Sequence, residues 1–210
     1  MIKVVPFICE DLDDLYANTY VLIDSKKQCV VIDPAKANQS INNYIKKNEL
    51  QLKAVLITHG HMDHMRGADA IIDEFHCPLY IGFYDADKLL DTYGNCSLFL
   101  GNEMTIKAKP ETLSDKQVLN LLEEDIQIIE TPFHTSGSVC YYLKDSQTLF
   151  TGDFLFAGSV GRSDLPSAKP RELSSSMSKI LALPKETKIY PGHGKSSTLE
   201  IELRSNPFVK

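Results

Sequence analysis

The sequence predicts an α/β fold in which two β-sheets pack face to face and helices cover the outer faces, giving four layers in the order α/β/β/α. Each half of the chain starts with consecutive strand patterns and then alternates strand with helix, and this repetition predicts one sheet per half. No linker rich in Pro, Gly or Ser and no low-complexity tract separates the halves. We therefore expect a single domain over residues 1–210, with two equivalent halves at roughly 1–110 and 111–210.

The first half contains β-branched apolar runs that predict strands. The runs 19–23 and 28–32 flank the polar residues 24–27, which is typical of a hairpin. The segment 67–75 carries apolar residues at helical spacing, whereas 92–111 contains Gly and Pro breakers and predicts a long loop. The first half is thus predicted to contain strands at 2–8, 19–23, 28–32, 54–57 and 78–81 and helices around 41–45, 67–75 and 85–91.

The second half starts again with strand patterns. Pro170 opens a segment in which Leu173, Met177 and Ile180 recur at helical spacing, and this pattern predicts a helix with one apolar face. The second half is predicted to contain strands at 117–121, 126–130, 139–143, 148–151 and 188–190 and helices at 170–182 and 197–204.

Composition excludes several classes of protein. Of the 210 residues, 43% are hydrophobic and 24% charged, which is typical of a globular domain, and no apolar run reaches the roughly 20 residues that a membrane span needs. The net charge of −6 argues against a broad nucleic-acid surface. The N-terminus lacks the pattern of a signal peptide, and the cysteines are odd in number without C-x-x-C spacing, so we expect a reduced, cytoplasmic setting. The cysteines are Cys9, Cys29, Cys77, Cys96 and Cys140.

The strongest motif follows the apolar run 54–57. Three of the six histidines fall within positions 59–64, with an aspartate among them. Imidazole and carboxylate groups are common zinc ligands, so this density predicts a metal site. Residues two apart in an extended segment point to the same side, which lets His59 and His61 hold one ion. Asp63 and His64 come where the chain must turn, and could reach a second ion.

Three more candidate ligands follow predicted strands. His134 comes after the strand at 126–130, Asp153 after the strand at 148–151, and His193 after the strand at 188–190. Loops at strand ends commonly carry the functional groups of α/β enzymes. Alone, each residue would be an ordinary structural histidine or a turn aspartate. With the histidine loop after 54–57 there are four such junctions, and together they indicate a site.

These motifs resemble the metallo-β-lactamase superfamily, in its hydroxyacylglutathione hydrolase (glyoxalase II-like) branch. The resemblance rests on H-x-H-x-D-H at 59–64, T-P-x-H-T around His134, T-G-D ending at Asp153, and P-G-H-G around His193. The stretch 160–166 and the tail 197–208, which ends in N-P-F, resemble a short single-domain subgroup. The resemblance implies the superfamily's α/β/β/α sandwich of two mixed sheets.

The resemblance also implies a centre of two divalent metals. His59, His61 and His134 would hold the first metal, Asp63, His64 and His193 the second, and Asp153 would bridge them. Zinc is the expected metal, with iron or manganese as alternatives. The activity implied is hydrolysis of a thioester, S-lactoylglutathione or a related acyl-thiol, by attack of a metal-bridging hydroxide, with Asp63 orienting the nucleophile as the catalytic residue.

Two ligand positions distinguish branches of the superfamily. Di-zinc β-lactamases commonly carry Cys where this chain has Asp153, and the flavodiiron branch carries Glu where it has His61. Lactamase activity and diiron electron transfer are therefore not expected. The tRNA-maturation branch needs a basic substrate-binding arm, which this acidic chain lacks. We expect neither nucleic acid nor membrane as a partner; the sequence leaves the oligomeric state open.

Three positions need separate comment. The resemblance places Arg162 on the carboxylate of the substrate thiol, and a surface ion pair with Asp164 is the alternative. Phe133 stands where the family often has Gly, so this loop is expected either to be strained or to place the ring on the pocket wall. His76 is interpreted as structural. Long glyoxalase II enzymes carry a further helical domain that this chain lacks, so looser substrate specificity is expected.

Two other functions fit parts of the pattern. A persulfide dioxygenase of the same superfamily uses a single iron on two His and one Asp, and it is the alternative enzyme. A non-catalytic, metal-stabilised interaction module is the alternative outside enzymes. The acidic stretch 10–16 is interpreted as a solvated turn, with a mobile lip over the site as the alternative.

Overall fold

The first sheet is formed by the N-terminal half of the chain. The computed structural model describes residues 1–8, 16–36 and 39–209, so the stretch 10–16 lies, except for Tyr16, outside the described residues, as does Cys9. Neighbouring strands pair antiparallel from β1 to β3 and parallel from β3 to β6. Among the described residues the order across the sheet is β1 (Lys3–Phe7), β2 (Thr19–Ile23), β3 (Gln28–Ile32), β4 (Gln51–Ile57), β5 (Leu79–Gly82) and β6 (Pro110–Leu113).

The second sheet is built from the C-terminal half. Its described strands are β7 (Val118–Leu119), β8 (Ile126–Glu130), β9 (Val139–Leu143), β10 (Thr148–Gly152), β13 (Lys188–Pro191) and β14 (Ser197–Thr198), with β11 (Leu155–Phe156) and β12 (Ser159–Val160) forming a separate small hairpin. The order across the sheet is β14-β13-β10-β9-β8-β7. Only β10 and β13 pair in parallel; the other described neighbours are antiparallel.

The two sheets face each other across a shared apolar layer. Alternate residues of a strand point to opposite faces, so Leu22 and Leu56 from the first sheet meet Ile128, Tyr141 and Phe150 from the second. All five side chains are buried. This layer fixes the relative position of the two sheets, and therefore of the loops at the ends of their strands.

Helices cover both outer faces. Strand residues that point away from the inner layer, such as Val31 and Val55, pack with Ile41 and Ile71 from the helices of the first half. Cys140 and other outward residues of the second sheet pack with the helices of the second half. The arrangement is the predicted α/β/β/α order. The α-helices are α1 (Ser40–Lys47), α2 (Met62–Met65), α3 (Ala68–Phe75), α4 (Leu173–Leu181) and α5 (Leu199–Ser205).

Several boundaries differ from the sequence prediction. The helix expected at 170–182 begins as a 3-10 turn at Pro170–Glu172, and the one expected at 197–204 is preceded by β14. The short helix expected at 85–91 is a 3-10 helix, Phe83–Leu89, and the predicted loop 92–111 contains a second, Ser97–Leu100. Such short elements depend on tertiary contacts more than on periodicity. The expected division at 110/111 falls inside β6, which belongs to the first sheet.

Helices of the described residues are all too short or too polar to cross a membrane.

Candidate metal centre

The histidine loop follows β4 directly and leads into α2. His61 has an extended backbone (φ −82°, ψ 146°) and precedes the first residue of that helix. The side chains of His59, His61 and His64 are all buried. The loop therefore starts as a continuation of the strand and ends as a helix, which is the change of direction expected between the two groups of ligands.

The first predicted group of ligands converges in space. Nε2 of His59 lies 3.1 Å from Nδ1 of His61, and that Nδ1 atom lies 2.9 Å from Nε2 of His134. His134 comes from the loop after β8, on the other sheet. Three imidazole nitrogens from two sheets thus face one point.

The second predicted group also comes from both sheets. Nε2 of His193, in the loop after β13, lies 3.1 Å from Oδ2 of Asp63, and Nε2 of His64 lies 3.7 Å from the same oxygen. One ligand atom from each of these residues falls within 4.8 Å of the other two.

Asp153 lies between the two groups. Its Oδ2 atom is 3.5 Å from Nε2 of His134 in the first group and 3.6 Å from Nε2 of His193 in the second. Its Oδ1 atom is 3.2 Å from Nε2 of His64. This position, in contact with both groups, is the one that a bridging carboxylate requires. The structure brings all seven predicted ligands together; their binding of metal remains a prediction.

The hydrogen bonds around the cluster leave nitrogen lone pairs facing its centre. Nδ1 of His134 lies 2.7 Å from the carbonyl oxygen of Arg162, which can only accept, so in the neutral ring the lone pair is on Nε2. Nε2 of His64 and Oδ1 of Asp153 are buried without a hydrogen-bond partner. Buried lone pairs that converge without donors are costly, and divalent cations satisfy them. The donor set therefore fits metal ions of the type that imidazole and carboxylate prefer.

The charge states are also suited to binding cations. Burial and the neighbouring His64 hold the pKa of His59 well below its usual value, and burial and His134 lower the pKa of His61 to about 4. Both imidazoles are thus neutral at pH 7, which is the form that binds metals. Burial opposes ionisation of Asp153, but the neighbouring His64 outweighs it and lowers the pKa of Asp153, which keeps its carboxylate charged.

Two glycines permit the close approach of the ligand loops. Gly152 has φ +48°, and a Cβ atom there would lie 2.3 Å from Oγ1 of Thr58. A Cβ atom at Gly192 would lie 2.3 Å from Oδ1 of Asp153. The small residues beside Asp153 and His193 therefore let the second sheet approach the histidine loop.

Asp33, which the sequence analysis did not single out, organises the histidine loop. Its carboxylate accepts hydrogen bonds from the backbone N–H and the hydroxyl of Thr58, at 2.8 and 2.7 Å, and from Nδ1 of His64 at 2.9 Å. Oγ1 of Thr58 in turn lies 3.2 Å from Nδ1 of His59. Asp33 directly follows β3, so the strand-end rule that identified the ligands could also have found it.

Asp85 is a second residue that the sequence analysis missed. This fully buried carboxylate accepts hydrogen bonds from the backbone N–H groups of Gly60 and Gly137, at 2.8 and 2.7 Å, and from the hydroxyl of Thr135 at 2.6 Å. Nζ of Lys88 completes the group at 2.7 Å. Gly60 lies in the histidine loop and Thr135 in the His134 loop, so Asp85 joins two ligand loops from opposite sheets.

A pocket of about 600 Å³ opens onto the cluster. Asp63, Asp153 and His193 line one side of it, and Arg162 lies at its margin. The guanidinium of Arg162 pairs with Asp164 through two hydrogen bonds of 2.6 and 2.7 Å, and both side chains are exposed. The structure shows the surface ion pair and places Arg162 among the residues that line the pocket; its binding of a substrate carboxylate remains a prediction.

Two other residues lie away from the pocket. Phe133 is buried in the outer layer of the second sheet, where its ring packs edge-on against Phe154. It is absent from the residues with positive φ, so neither backbone strain nor a place on the pocket wall, the two expectations for it, is observed. His76 is exposed and ends α3 in a left-handed conformation (φ 52°), away from the cluster.

Relatives of this chain carry names of metal-dependent hydrolases. It is 36% identical to a probable metallo-hydrolase, YqgX, of Bacillus subtilis (strain 168), over 93% of each chain. It is 30% identical to the hydroxyacylglutathione hydrolase GloC of Haemophilus influenzae, over 91% of this chain and 92% of the relative.

Solved structures show the same fold. The B3 metallo-β-lactamase BLEG-1 is 33% identical and superposes with a TM-score of 0.90 over the whole of both chains. A di-iron-bound form of TTHA1623 is 31% identical, with a TM-score of 0.82 over 97% of this chain and 99% of the other. These likenesses confirm the predicted sandwich fold.

The family comparison covers all seven predicted ligands. Residues 12–193 match the model of the metallo-beta-lactamase superfamily, a span that begins before the histidine loop and ends at His193. Proteins of this superfamily bind divalent metals, and the clustered His and Asp side chains of this chain provide a matching donor set. The chain therefore belongs to the metallo-β-lactamase superfamily.

Proposed function

We propose that this protein is a metal-dependent thioester hydrolase acting on S-lactoylglutathione or a related acyl-thiol. The observation that carries the proposal is the position of Asp153, a carboxylate within 3.6 Å of a nitrogen in each ligand group. A shared carboxylate suits two equivalent hydrolytic metals better than the thiolate common in di-zinc β-lactamases. The relative named as a hydroxyacylglutathione hydrolase supports the same class of substrate.

Each ligand group has a defined role in this proposal. His59, His61 and His134 would hold one divalent cation and Asp63, His64 and His193 the other, with zinc first and iron or manganese as alternatives. When bound, the two cations would supply an activated water and polarise the thioester carbonyl.

The protein's own groups complete the reaction. The carboxylate of Asp63 faces the pocket and remains partly accessible, so it can accept a hydrogen bond from the attacking water and fix its direction. The leaving thiol has an ordinary pKa near 8.5 if it is cysteine-like, so it departs as a thiolate with little need for a general acid. Arg162 would bind a carboxylate of the thiol in place of Asp164.

A mononuclear iron persulfide dioxygenase is the second candidate. His59, His64 and Asp153 offer ligand atoms within 4.8 Å of one another, and two histidines with one carboxylate are the composition of an oxygen-activating iron triad. The remaining four ligands would then have no metal to bind, which favours the hydrolase.

The deciding experiment combines metal analysis with three assays. Purified protein would be analysed for bound metals, then assayed anaerobically for release of thiol from S-lactoylglutathione, in air for oxygen uptake with glutathione persulfide, and for hydrolysis of a cephalosporin. We expect two equivalents of metal and thioester cleavage without oxygen. Oxygen uptake with one equivalent of iron would establish the second candidate, and cephalosporin cleavage alone would refute both.

A further inference from the structure

Exposed apolar side chains concentrate in one segment of the chain, and part of that segment lines the pocket. Within the described parts of the chain, seven of the large hydrophobic residues with high exposure fall between positions 83 and 100. Isolated exposed hydrophobics are ordinary, but a concentration of this kind marks a binding surface. The seven are Phe83, Tyr84, Leu90, Tyr93, Leu98, Phe99 and Leu100.

Part of this surface forms a wall of the pocket. Cys96, Phe99 and Leu100, from the 3-10 helix Ser97–Leu100 and the residue before it, line the cavity that holds the metal ligands. Phe156 and Leu165 also line it. We call Cys96, Phe99 and Leu100 the apolar wall. Apart from the ligand cluster, the charged residue lining the pocket is Arg162, whose guanidinium is already paired with Asp164.

The apolar wall is held at a fixed position relative to the ligands. Asn95 is fully buried, and its carbonyl oxygen accepts a 3.0 Å hydrogen bond from the backbone N–H of Met62 in the histidine loop. The side-chain amide of Asn95 donates to the carbonyls of Lys88 and Met104, at 3.1 and 2.9 Å. Because Met62 lies between two predicted ligands, a molecule on the wall has a defined distance to the cluster.

We propose that the apolar wall binds the acyl chain of the substrate, and that this chain is an unbranched aliphatic group longer than lactoyl. The inference rests on the proposed thioester hydrolysis and specifies its substrate class. A short hydroxylated acyl group gains little from Phe99 and Leu100, whereas each methylene that the wall removes from water strengthens binding by up to about fourfold. An aliphatic chain also needs no charged partner, and outside the ligand cluster the charged side chain among the described lining residues, Arg162, is assigned by the proposed function to the thiol.

The test is a series of thioesters that differ only in acyl length. Acetyl, butanoyl, hexanoyl and octanoyl thioesters of N-acetylcysteamine, an uncharged carrier, would be compared with the lactoyl thioester of the same carrier. We expect kcat/KM to rise about two- to fourfold per methylene until the chain exceeds the wall. A flat or falling series, or a preference for lactoyl, would overturn the inference.

A pair of matched variants locates the effect. Phe99 and Phe83 are similarly exposed (55% and 58%), and each ring packs against a tyrosine with ring centroids 5.2 Å apart, but only Phe99 lines the pocket. Phe99→Ala should reduce kcat/KM for the octanoyl ester about tenfold and leave the acetyl ester within twofold. Phe83→Ala should change neither. Equal effects of the two substitutions would show that the wall does not bind the chain.

A binding measurement separates this inference from the proposed function. Alkyl thioethers of N-acetylcysteamine, from methyl to octyl, cannot be hydrolysed, and their affinity for the metal-loaded protein can be measured by titration calorimetry. Affinity that rises with chain length and falls in Phe99→Ala supports the wall even if no thioester is cleaved, in which case only the proposed function fails. Affinity that does not depend on chain length refutes the wall whatever the activity.

Discussion

Nδ1 of His64 donates a 2.9 Å hydrogen bond to the carboxylate of Asp33, and both side chains are buried. The bond fixes the ring so that Nε2 points toward Asp153. Groups that orient a metal-binding histidine in this way commonly contribute 10- to 100-fold to metal affinity. The first prediction concerns this pair.

Asp33→Asn should weaken binding of the second metal about 10- to 100-fold, because the neutral amide supports His64 less strongly. The backbone of Asp33 has φ +49°, which Asn tolerates, so the loop should keep its shape. Metal content would be measured by competition with a chelator. Asp24→Asn is the control, since Asp24 is also buried but bonds to residues of its own turn and to Glu123. Equal losses in both variants would contradict the prediction.

Asp85→Asn should destabilise the fold by about 3–5 kcal/mol, because it leaves the buried Lys88 with only the exposed Asp87, 3.9 Å away, as a counter-charge. The double variant Asp85→Asn, Lys88→Met removes both charges and should recover most of that stability. Both variants should bind the first metal more weakly than the unmodified protein, since Gly60 and Thr135 no longer share a charged acceptor. The double variant should not recover this affinity. Urea unfolding and metal titration would be compared. Recovery of affinity together with stability would mean that Asp85 acts only on folding.

Asp63→Ala should lower kcat for the thioester by about 10²- to 10⁴-fold and reduce the content of the second metal. The reason is that Asp63 is expected both to hold that metal and to direct the nucleophile. Steady-state kinetics and metal analysis would be carried out on the same preparation. Full kcat with a full complement of metal would contradict this double role.

The buried thiols predict loss of stability in alkaline solution. Burial raises the pKa of Cys29 and Cys140 to about 12 and that of Cys77 to about 11. In the unfolded chain these thiols ionise near pH 8.5, so between about pH 9 and 11 the folded state holds protons that the unfolded state has lost. The free energy of unfolding should therefore fall as pH rises, by up to about 1.4 kcal/mol per pH unit for each thiol.

Denaturant unfolding under reducing conditions at pH 8, 9 and 10 would measure this slope. Cys140→Ala should remove the contribution of one thiol from the dependence of the unfolding free energy on pH. This holds even if the substitution changes the stability at pH 8. A free energy of unfolding that does not change with pH over this range would contradict the prediction.

Much of the fold follows from local patterns that can be read along the chain. Apolar, β-branched runs predicted the strands that carry Leu22 and Leu56 of the inner layer. The predicted ligands follow strands because strand ends in such folds meet at one edge. The four ligands nearest in sequence were predicted from their density alone. His134, Asp153 and His193 were predicted because each follows a predicted strand, and the family resemblance then assigned each of them to a metal.

The residues that were missed depend on distant contacts. Asp85 lies in a short 3-10 helix, and its role comes from bonds to Gly60 and Gly137, which are far away in sequence. Composition does not distinguish this aspartate from a solvated one. The position of Phe133 also depends on a tertiary contact, because its ring packs against Phe154 only once the loop after β8 has folded over the second sheet. Local patterns therefore predict ligands better than they predict the groups that support them.

The division of the ligands between the two sheets has a consequence for how the protein matures. The histidine loop is synthesised early, but His193 follows the last parallel strand of the second sheet and is among the last ligands to leave the ribosome. A nascent chain that stops before β13 has an incomplete donor set, however well its first sheet is folded. The proposed uptake of two ions would therefore have to wait for nearly the whole polypeptide, so metal loading would mark the end of folding rather than its beginning.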